Sequence, residues 1–362
     1  VAPVLATPLL WGGAWASQVL LWLTRFFAHV PLATMDLPSF GLAASLLYAA
    51  GLACWALGER RTRLGGLLVP VGLALVFLVP RLVPEPGLRI TFLAVGQGDG
   101  VVLSSRGHHA LIDGGGVPGG ADPGLRVVVP FLRASRIERL DLAVLSHPHP
   151  DHALGLISTL GQVPTERLWL AADSVDGHLS KQLIAAATGA HVEQVQLGHP
   201  SYRLGEATLE VLGPPEDREL MEGVNDKSVV LLVRHGDVTV LLPGDVEEEG
   251  EAALLASGKL GPVTVLKAAH HGSRTSSTED FLTRLRPRFA VFCVGRRNRF
   301  GFPHPEVEAR YRSLGTECLR TDVHGAITLE SDGRDVRLST FLPAEPTIPP
   351  VPVAPMATHH QP

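Results

Sequence analysis

The segment from Leu145 to His152 carries side chains that are able to bind metal ions. It reads LSHPHPDH and places His147, His149, Asp151 and His152 within six positions. Imidazole nitrogen and carboxylate oxygen are ligands that Zn²⁺ and Mn²⁺ prefer. The spacing suggests two metals, the first bound by His147 and His149 and the second by Asp151 and His152.

An apolar run directly before this segment, LDLAV, is typical of a buried strand. A strand that ends in a loop would direct all four side chains toward one point, and Gly155 predicts a turn after the loop. The alternative is a solvent-facing histidine-rich loop, for which Pro148 and Pro150 are suitable. The strand and the turn favour a metal site.

Potential metal ligands also follow two later predicted strands. Asp245 follows the apolar run Val238 to Leu242, and an aspartate there is able to bridge two cations because each oxygen can hold one. Gly-Asp after a strand is nevertheless more often an ordinary turn. His270 and His271 follow another apolar run, and ligands or a hydrogen-bonded loop explain that pair equally well. The Gly-rich turn around Asp99 is a weaker signal, which a hairpin connection also explains.

Length and composition limit the function classes. A chain of 362 residues suggests about two domains. The net charge of −5 gives no global basic signature, so a nucleic-acid substrate would need local basic patches or bound metal. Three widely spaced cysteines exclude a disulfide framework and a cysteine-based zinc site. The chain begins with Val1, which predicts a fragment of a longer protein.

The first 84 residues contain almost no charge. Gly41 to Gly58 and Leu64 to Pro80 are uncharged runs with the length of about 17–25 residues that crosses a bilayer. We therefore predict two transmembrane helices, with a buried hairpin of a soluble protein as the alternative. Leu9 to Val30 mixes several aromatic residues with Arg25, which predicts an interfacial helix or the end of another span.

The turn between the two runs sets the expected orientation. Arg60, Arg61 and Arg63 outnumber Glu59, and positive loops stay on the cytoplasmic side. The chain after Arg81 would then lie outside the cytoplasm, at the inner membrane.

From Leu88 the sequence alternates between predicted strands and predicted helices, as in a soluble α+β domain. Strands are expected near 89–95, 101–104, 110–113, 141–145, 167–171, 207–212, 228–234, 237–242, 263–268, 289–294, 325–330 and 335–340. Helices are expected near 178–188, 246–257, 278–285 and 305–314. Adjacent strands interrupted by helices predict two mixed sheets with helices outside. The predicted organisation is residues 1–87 in the membrane, 88–341 as the hydrolase domain, and a Pro-rich disordered tail at 342–362.

Six motifs in order, VGQGDG, ALIDGGG, SHPHPDH, NDKS, LLPGD and LKAAHHGS, give the chain a family resemblance. They resemble the C-terminal domain of the ComEC family of DNA-uptake channel proteins, within the metallo-β-lactamase superfamily of metal-dependent hydrolases. The uncharged runs before them are similar to the end of that family's membrane domain. The resemblance implies an αββα sandwich, preceded by transmembrane helices, with a dinuclear site between the sheets.

The resemblance also implies ligand roles. Two divalent ions, Zn or Mn, would be bound by His147 and His149 at the first site and by Asp151, His152 and His271 at the second, with Asp245 bridging. His270 is the alternative ligand, or else contacts the substrate phosphate. Asp113, at the end of the ALIDGG strand, would orient a ligand histidine, and Asp99 would support the site from behind.

Two positions depart from the expected pattern. Asn225 to Ser228 stands where the superfamily usually has a third histidine for the first metal, so that metal would be weakly held. Asn225 or Ser228 would then contact phosphate instead. Ala94 stands where the family commonly has an aspartate, although Asp99 remains.

Basic residues near these motifs are the candidates for contacts to a DNA backbone. They are Lys227, Lys267, Arg274, Arg296, Arg297 and Arg299. The basic run next to Phe300 suits binding of a single strand, and an ordinary solvated loop explains it equally well. His304 either faces the site or is a loop histidine.

The sequence predicts a membrane-tethered hydrolase that degrades one DNA strand during uptake, with Asp151 accepting a proton from the nucleophile. Its partners would be single-stranded DNA, the membrane and other uptake proteins. A hydrolase acting on another phosphodiester or an ester is one alternative, because the fold permits many substrates. A non-catalytic DNA-binding module with a degraded metal site is the other.

Overall fold

A computed structural model provides the structure of the chain. It describes residues 2–28, 42–59, 87–172, 174–217, 223–296 and 298–342, with isolated positions at 62, 66, 68, 69, 71, 72 and 221. The chain divides into two compact units, Val1–Val83 and Pro84–Pro362. The predicted disordered tail at 343–362 lies outside the described residues.

The N-terminal unit contains two apolar helices, α1 (Ala2–Ala28) and α2 (Leu42–Leu57). Large side chains are exposed on both, including Trp11 and Trp15 on the first and Trp55 on the second. Within the described residues, no helix reaches both the length and the apolar character needed to cross a membrane. The first predicted span corresponds to α2, and most of the second, with Arg60, Arg61 and Arg63, lies outside the described residues.

The second unit contains the remaining elements. Its strands are β1 (Leu88–Phe92), β2 (Val101–Ser105), β3 (His108–Ile112), β4 (Leu140–Leu145), β5 (Thr165–Ala171), β6 (His191–Val195), β7 (Tyr202–Leu204), β8 (Ala207–Gly213), β9 (Val230–His235), β10 (Val238–Leu242), β11 (Val265–Lys267), β12 (Phe289–Phe292), β13 (Glu317–Arg320), β14 (Ile327–Ser331) and β15 (Val336–Thr340). Its α-helices are α3 (Val129–Ala134), α4 (Pro150–Leu160), α5 (His178–Ala186), α6 (Glu248–Ala256), α7 (Glu279–Leu285), α8 (Pro305–Ser313) and α9 (Thr321–His324). A π-helical turn, Gly124–Val128, precedes α3, and a 3₁₀ turn, Ala269–Gly272, follows β11.

The strands form two mixed sheets. The order in the first is β15-β14-β1-β2-β3-β4-β5-β6, and the order in the second is β13-β12-β11-β10-β9-β8-β7. Neighbours from β3 to β6 are parallel, as are neighbours from β10 to β13, whereas the other pairs are antiparallel. Each sheet therefore has a parallel part, and the carboxyl ends of its parallel strands lie along one edge.

The alternation of side chains along the strands builds three apolar layers. In β4, Leu142 and Val144 belong to a core that also contains Leu231 and Val233 of β9, so this layer lies between the sheets. The intervening Ala143 of β4 packs with residues of α3 and α4 on the outer face of the first sheet. Helices α6, α7 and α8 cover the outer face of the second sheet in the same way. Period-two alternation thus produces the four-layered αββα sandwich, and the α+β fold class expected from the sequence is confirmed.

The sequence-based elements agree with most of these bounds, but β6, β7, β13, α3, α4 and α9 were not predicted. The difference at α4 affects the site. Asp151 and His152 lie in the first turn of this helix rather than in a loop, with Pro150 at the first helical position. The expected turn at Gly155 is wrong, because this glycine lies inside α4. A Cβ atom there would lie 2.0 Å from the carbonyl oxygen of Gly114, so glycine permits close packing of the helix.

Candidate metal centre

The centre lies where the carboxyl ends of two pairs of parallel strands deliver polar residues. Asp113 follows β3 and His147 follows β4 in the first sheet. Asp245 follows β10 and His271 follows β11 in the second. The first turn of α4 adds His152, whose backbone oxygen accepts a hydrogen bond from Gly114 N at 2.9 Å. Four strand ends and one helix start therefore meet, although they are far apart in the sequence.

Asp245 is at the middle of the cluster. Its Oδ2 atom lies 3.1 Å from Nε2 of His152 and 3.1 Å from Nε2 of His271. Nε2 of His147 is 4.0 Å from the same oxygen. One carboxylate oxygen is thus shared by histidines that come from both sheets.

The other oxygen of Asp245 is already bonded to a buried cation. Nζ of Lys267 lies 3.1 Å from Asp245 Oδ1, 2.6 Å from Asp99 Oδ2 and 2.9 Å from the carbonyl oxygen of Gly244. This corrects the prediction that Lys267 contacts DNA, because the side chain is 1% exposed and is not accessible to a DNA backbone. The Oδ2 atom of Asp245 is the one that faces the histidines.

Asp113 fixes the ring of His152. Its Oδ2 atom lies 2.8 Å from Nδ1 of His152, and its Oδ1 atom accepts a hydrogen bond from Ser146 N at 2.8 Å. A carboxylate at Nδ1 keeps a proton on that nitrogen and turns Nε2 toward Asp245, so Nε2 is the nitrogen that a metal would bind after the loss of its own proton. The hydroxyl of Ser146 also donates to Asp113 Oδ2, at 2.7 Å.

The adjacent histidines after β11 take different directions. His271 is buried, and its Nε2 atom lies 3.6 Å from Asp151 Oδ2 as well as 3.1 Å from Asp245 Oδ2. His270 is partly exposed, with Nδ1 2.9 Å from Glu247 Oε1 and Nε2 4.0 Å from Asp245 Oδ2. Both residues have positive φ angles, 43° for His270 and 55° for His271. This backbone sends one ring into the cluster and the other to its rim.

Asp99 supports His271 from behind. Its Oδ1 atom lies 3.4 Å from His271 Nδ1, while its Oδ2 atom pairs with Lys267. Asp99, Asp113 and His152 form a second group of potential ligand atoms. Because Lys267 and Ser146 already donate to those carboxylates, we interpret this group as a support for the neighbouring ligand atoms.

His147 and His149 lie beside the cluster rather than in it. Nε2 of His147 is 3.0 Å from Nδ1 of His149, so the two rings are within hydrogen-bond distance of each other. Neither residue joins a group of three convergent ligand atoms in the described part of the chain. Ser228 Oγ lies 3.4 Å from His147 Nδ1, at the side where a third histidine was missing from the sequence pattern.

The NDKS segment is mostly used inside the fold. Ser228 is buried, and its hydroxyl donates to the carbonyl oxygen of Asn225 at 2.6 Å. Asp226 accepts hydrogen bonds from the backbone of Glu247 and Gly250 and so caps the start of α6. Asn225 Oδ1 is buried and has no hydrogen-bond partner among the described residues, while Lys227 is partly exposed.

The pKa values follow the charges of the centre. Burial lowers the pKa of His152, but the charges of Asp245 and Asp113 outweigh it and raise that pKa well above its usual range. Burial also lowers the pKa of His271, yet Asp245 and other neighbours raise it to about 10. Burial raises the pKa of Asp245, but the charges of these two histidines hold it well below its usual range. The carboxylates therefore favour positive charge at both histidines.

The donor set fits a divalent metal ion. The ligand atoms of Asp151, His152, Asp245 and His271 all lie within 4.8 Å of one another. Both ring nitrogens of the buried His271 lack a hydrogen-bond partner within the described residues. An imidazole that is buried without partners is costly unless something else binds it. Two imidazole nitrogens and two carboxylate oxygens are a set that zinc or manganese binds.

The predicted DNA-contacting arginines lie farther out. Arg274 forms an exposed ion pair with Glu306, and Nε of Arg296 donates to the carbonyl oxygen of Asp322 at 3.2 Å. Arg299 is exposed, with its guanidinium carbon 5.1 Å from the ring centroid of Phe300. Arg297 lies outside the described residues.

The sequence did not single out Glu247 or Ser146. Glu247 stands in the run EEE, which resembles ordinary acidic residues at a helix start, yet its carboxylate contacts His270 and accepts a hydrogen bond from Thr275 at 2.5 Å. Ser146 is part of the histidine motif itself, and its position between Asp113 and the rings is the signal that could have identified it.

Comparisons with known proteins agree on the type of domain. The sequence profile of the metallo-beta-lactamase superfamily matches residues 93–296. ComE operon protein 3 of Bacillus subtilis (strain 168) is 26% identical over 355 residues, which cover 91% of this chain and 45% of that protein. Competence protein ComA of Neisseria gonorrhoeae is 32% identical over 338 residues, covering 88% of this chain and 43% of that protein. The chain thus spans less than half the length of either relative.

A similar solved structure is CmlA, a diiron β-hydroxylase from Streptomyces venezuelae. It aligns with a TM-score of 0.46 and 19% identity, covering 69% of this chain and 55% of that one.

Proposed function

This chain belongs to the metallo-β-lactamase superfamily, and on that premise we propose that it is a metal-dependent phosphodiesterase that cuts DNA. The relatives named as competence proteins confirm the family that the ordered motifs predicted. One observation carries the proposal. Asp151, His152, Asp245 and His271 converge from both sheets into a buried donor set that fits a divalent cation.

We assign unequal strength to the two metal positions. Asp151, His152, Asp245 and His271 would hold the stronger one. His147 and His149, together with Asp245, would hold the weaker one, because Ser228 supplies no imidazole. Bound divalent ions would lower the pKa of an attacking water and polarise a phosphoryl oxygen.

Asp151 is placed to take part in proton transfer. It is the most exposed of the four ligand candidates, with 26% of its side chain accessible. The neighbouring charge of His271 keeps its carboxyl ionised. Burial raises the pKa of Asp151, but the close contact with His271 and the charge of His152 lower it below its usual range. An ionised carboxylate at the open side of the centre accepts the proton of the attacking water.

His270 and Glu247 form the rim on the second sheet's side. The carboxylate of Glu247 at Nδ1 holds the ring so that Nε2 faces the centre. Burial lowers the pKa of His270, so the imidazole is neutral near pH 7 and its Nε2 atom can contact a phosphate oxygen or the leaving group. Glu247 is a positioning residue in this arrangement.

The carboxylates make binding of a phosphate at the centre dependent on metal. Asp99, Asp151 and Asp245 line the centre together with Lys267 and the two positively charged histidines, His152 and His271. A phosphodiester oxygen would be repelled by the carboxylates at close range unless a divalent cation lies between them. This agrees with a net charge of −5, which gives no global basic signature.

We further propose that the domain acts during DNA uptake at the inner membrane, on one strand, together with other uptake proteins. The relatives named for competence support this role. The exposed tryptophans of α1 and α2 and the scarcity of charge before Leu88 support a membrane-embedded N-terminal unit, because soluble proteins seldom expose so much apolar surface. The hydrolase unit would then face away from the cytoplasm.

The test is cleavage by the purified 362-residue chain. We expect an end-labelled single-stranded oligonucleotide to be cut with Mn²⁺ or Zn²⁺ and to remain intact with EDTA. Asp151→Asn should abolish cutting and leave the circular dichroism spectrum unchanged. Asp237→Asn, an exposed aspartate at the opposite end of β10, should cut like the parent.

Equal cutting by the Asp151→Asn variant would refute the mechanism. Hydrolysis of small esters but not of DNA, under the same metal, would point to a different substrate. The separation of His147 and His149 from the four-residue cluster is the observation that favours a non-catalytic DNA-binding module. Elemental analysis addresses it: less than one metal per chain, with DNA binding but no cutting, would support the module.

A further inference from the structure

A row of aromatic rings leads from the surface to the centre. Phe300 and Phe302 stack with ring centroids 5.4 Å apart and an interplanar angle of 16°. Phe302 in turn contacts His270 at 5.6 Å and His271 at 6.2 Å, measured between centroids. The outer end of this aromatic row is Phe300, whose side chain is 46% exposed.

The loop that presents Phe300 is built by side-chain hydrogen bonds. The amide of Asn298 donates to the carbonyl oxygens of Gly295 at 3.2 Å and Phe302 at 2.8 Å. Its Oδ1 atom accepts a hydrogen bond from Phe302 N at 2.9 Å. One side chain thus joins Gly295 to Phe302, and Arg299 and Phe300 lie between Asn298 and Phe302.

The same loop is tied to the metal-ligand turn. His304 N donates to the carbonyl oxygen of Gly272 at 3.0 Å, directly after His271. Gly272 has a φ of 85°, and a Cβ atom there would lie 2.7 Å from the side chain of Pro303. The close approach of the two segments fixes the aromatic row relative to the centre.

From this arrangement we propose that Phe300 is a stacking platform for a base of single-stranded nucleic acid close to the phosphate that is cut. The proposal rests on the function proposed above and specifies its substrate. Aromatic rings stack on unpaired bases of any sequence, and a base inside a duplex cannot reach such a ring. Arg299 and Arg296 are exposed beside the platform and supply positive charge for the flanking phosphates.

The guanidinium of Arg299 marks the stacking face. It lies over the ring of Phe300 at 5.1 Å, in the place that a planar base would take. A base that stacks there displaces the guanidinium toward the strand, where it meets a phosphate rather than a ring. After this exchange the ring stacks on the base, and the guanidinium pairs with a phosphate.

The test measures binding without cutting. The 362-residue chain is titrated into a fluorescent single-stranded oligonucleotide and into an abasic strand with the same number of phosphates. EDTA is present, so that the metal-dependent phosphate contact at the centre is absent and binding reports on Phe300 and the neighbouring arginines. Phe300→Ala should weaken binding of the normal strand by about tenfold, and Phe300→Trp should preserve it. Phe300→Leu, which keeps apolar bulk but has no ring face, should behave like the alanine variant.

Binding of the abasic strand and of duplex DNA should be the same for all three variants and the parent. Phe341→Ala, which removes an exposed phenylalanine after β15, should bind every DNA like the parent. Equal affinity of parent and Phe300→Ala for the normal strand would overturn the proposal. An equal loss on the abasic strand would overturn it as well, because the ring would then act through something other than bases.

These outcomes are separate from those of the proposed function. A chain that never cuts DNA but loses base-dependent binding with Phe300→Ala would refute the nuclease and support the platform. If the chain cuts DNA, and the parent and Phe300→Ala bind the normal strand equally, the nuclease would be supported and the platform refuted.

Discussion

Oδ2 of Asp113 lies 2.8 Å from Nδ1 of His152, and this contact decides which ring nitrogen faces the metal centre. Ser146 holds the carboxylate from the other side through its backbone N–H and its hydroxyl. The pair joins the end of β3 to the first turn of α4. Orientation of the ligand is therefore a property of the fold around it.

Asp113→Asn should reverse the tautomer of His152. The amide would donate to Nδ1, which moves the ring proton to Nε2, the atom that faces Asp245. We expect metal affinity to fall by about 10-fold to 100-fold, as for other residues that orient metal ligands. Competition with a chelating dye measures this.

The matched control for Asp113→Asn is Asp141→Asn. Asp141 pairs with Nδ1 of His108 at 3.2 Å, at the opposite end of the same strands. Its replacement should leave metal affinity unchanged. Similar losses in both variants would show that the contact with His152 has no special role.

Metal binding should release protons. The pKa of His152 is raised well above its usual range, and that of His271 is raised to about 10, so both rings are doubly protonated and positively charged near pH 7. An imidazole must be neutral to bind a metal, so binding at pH 7 should release about two protons, and affinity should fall as the pH falls. Calorimetric titrations in buffers of different ionisation enthalpy give the number. Binding with no net proton release would contradict the assignment of these two ligands.

Lys267→Met should destabilise the protein, because Asp99 and Asp245 would lose their buried counter-charge. Removing one partner of a buried ion pair costs about 3–5 kcal/mol in free energy of unfolding. Chemical denaturation in EDTA measures this loss. Added Mn²⁺ should recover part of it, since a cation bound at Asp245 stabilises the folded state.

The control for this variant is Lys181→Met. Lys181 pairs with Asp176 at 3.6 Å, and both side chains are exposed. Pairs of this kind contribute less than about 1 kcal/mol. If Lys267→Met were as stable as Lys181→Met, the buried lysine would not be the counter-charge of the centre.

Glu251 should make stability depend on pH. Its carboxylate is buried and accepts hydrogen bonds from Ser277 and Thr278; burial raises its pKa from the model-compound value of 4.5 to about 7, although these bonds oppose the change. The folded state therefore holds the proton more tightly than the unfolded chain. Its stabilising contribution, roughly 3 kcal/mol, is complete below pH 4.5 and is lost as the pH rises through 7.

Glu251→Gln removes this titration. Relative to the parent, the variant should lose less stability between pH 5 and pH 8 in urea denaturation. Glu249→Gln, exposed on the same helix, should follow the parent curve. Parallel curves for parent and Glu251→Gln would mean that the carboxyl is ionised throughout this range.

The candidate ligand residues could be predicted from the sequence because they lie in short motifs. The apolar runs of β4 and β10 predicted strands, and SHPHPDH, Asp245 and the His270–His271 pair predicted ligands at strand ends. The order of the motifs identified the family. Short strands such as β7 and the helix α4 were missed, because three residues carry too little periodicity and two prolines suggested a loop.

The assignment of each polar group depended on the tertiary structure. Sequence left His270 and His271 interchangeable, and only the left-handed backbone at both residues separates the ring that faces Asp245 from the ring that pairs with Glu247. Lys267 was a candidate for DNA in the sequence, whereas packing between Asp99 and Asp245 makes it an internal counter-charge. The residue types and their order along the chain determined which chemistry is present. Contacts between residues of different strands, helices and turns decided how it is used, because burial and charge at the centre arise only when the two sheets meet.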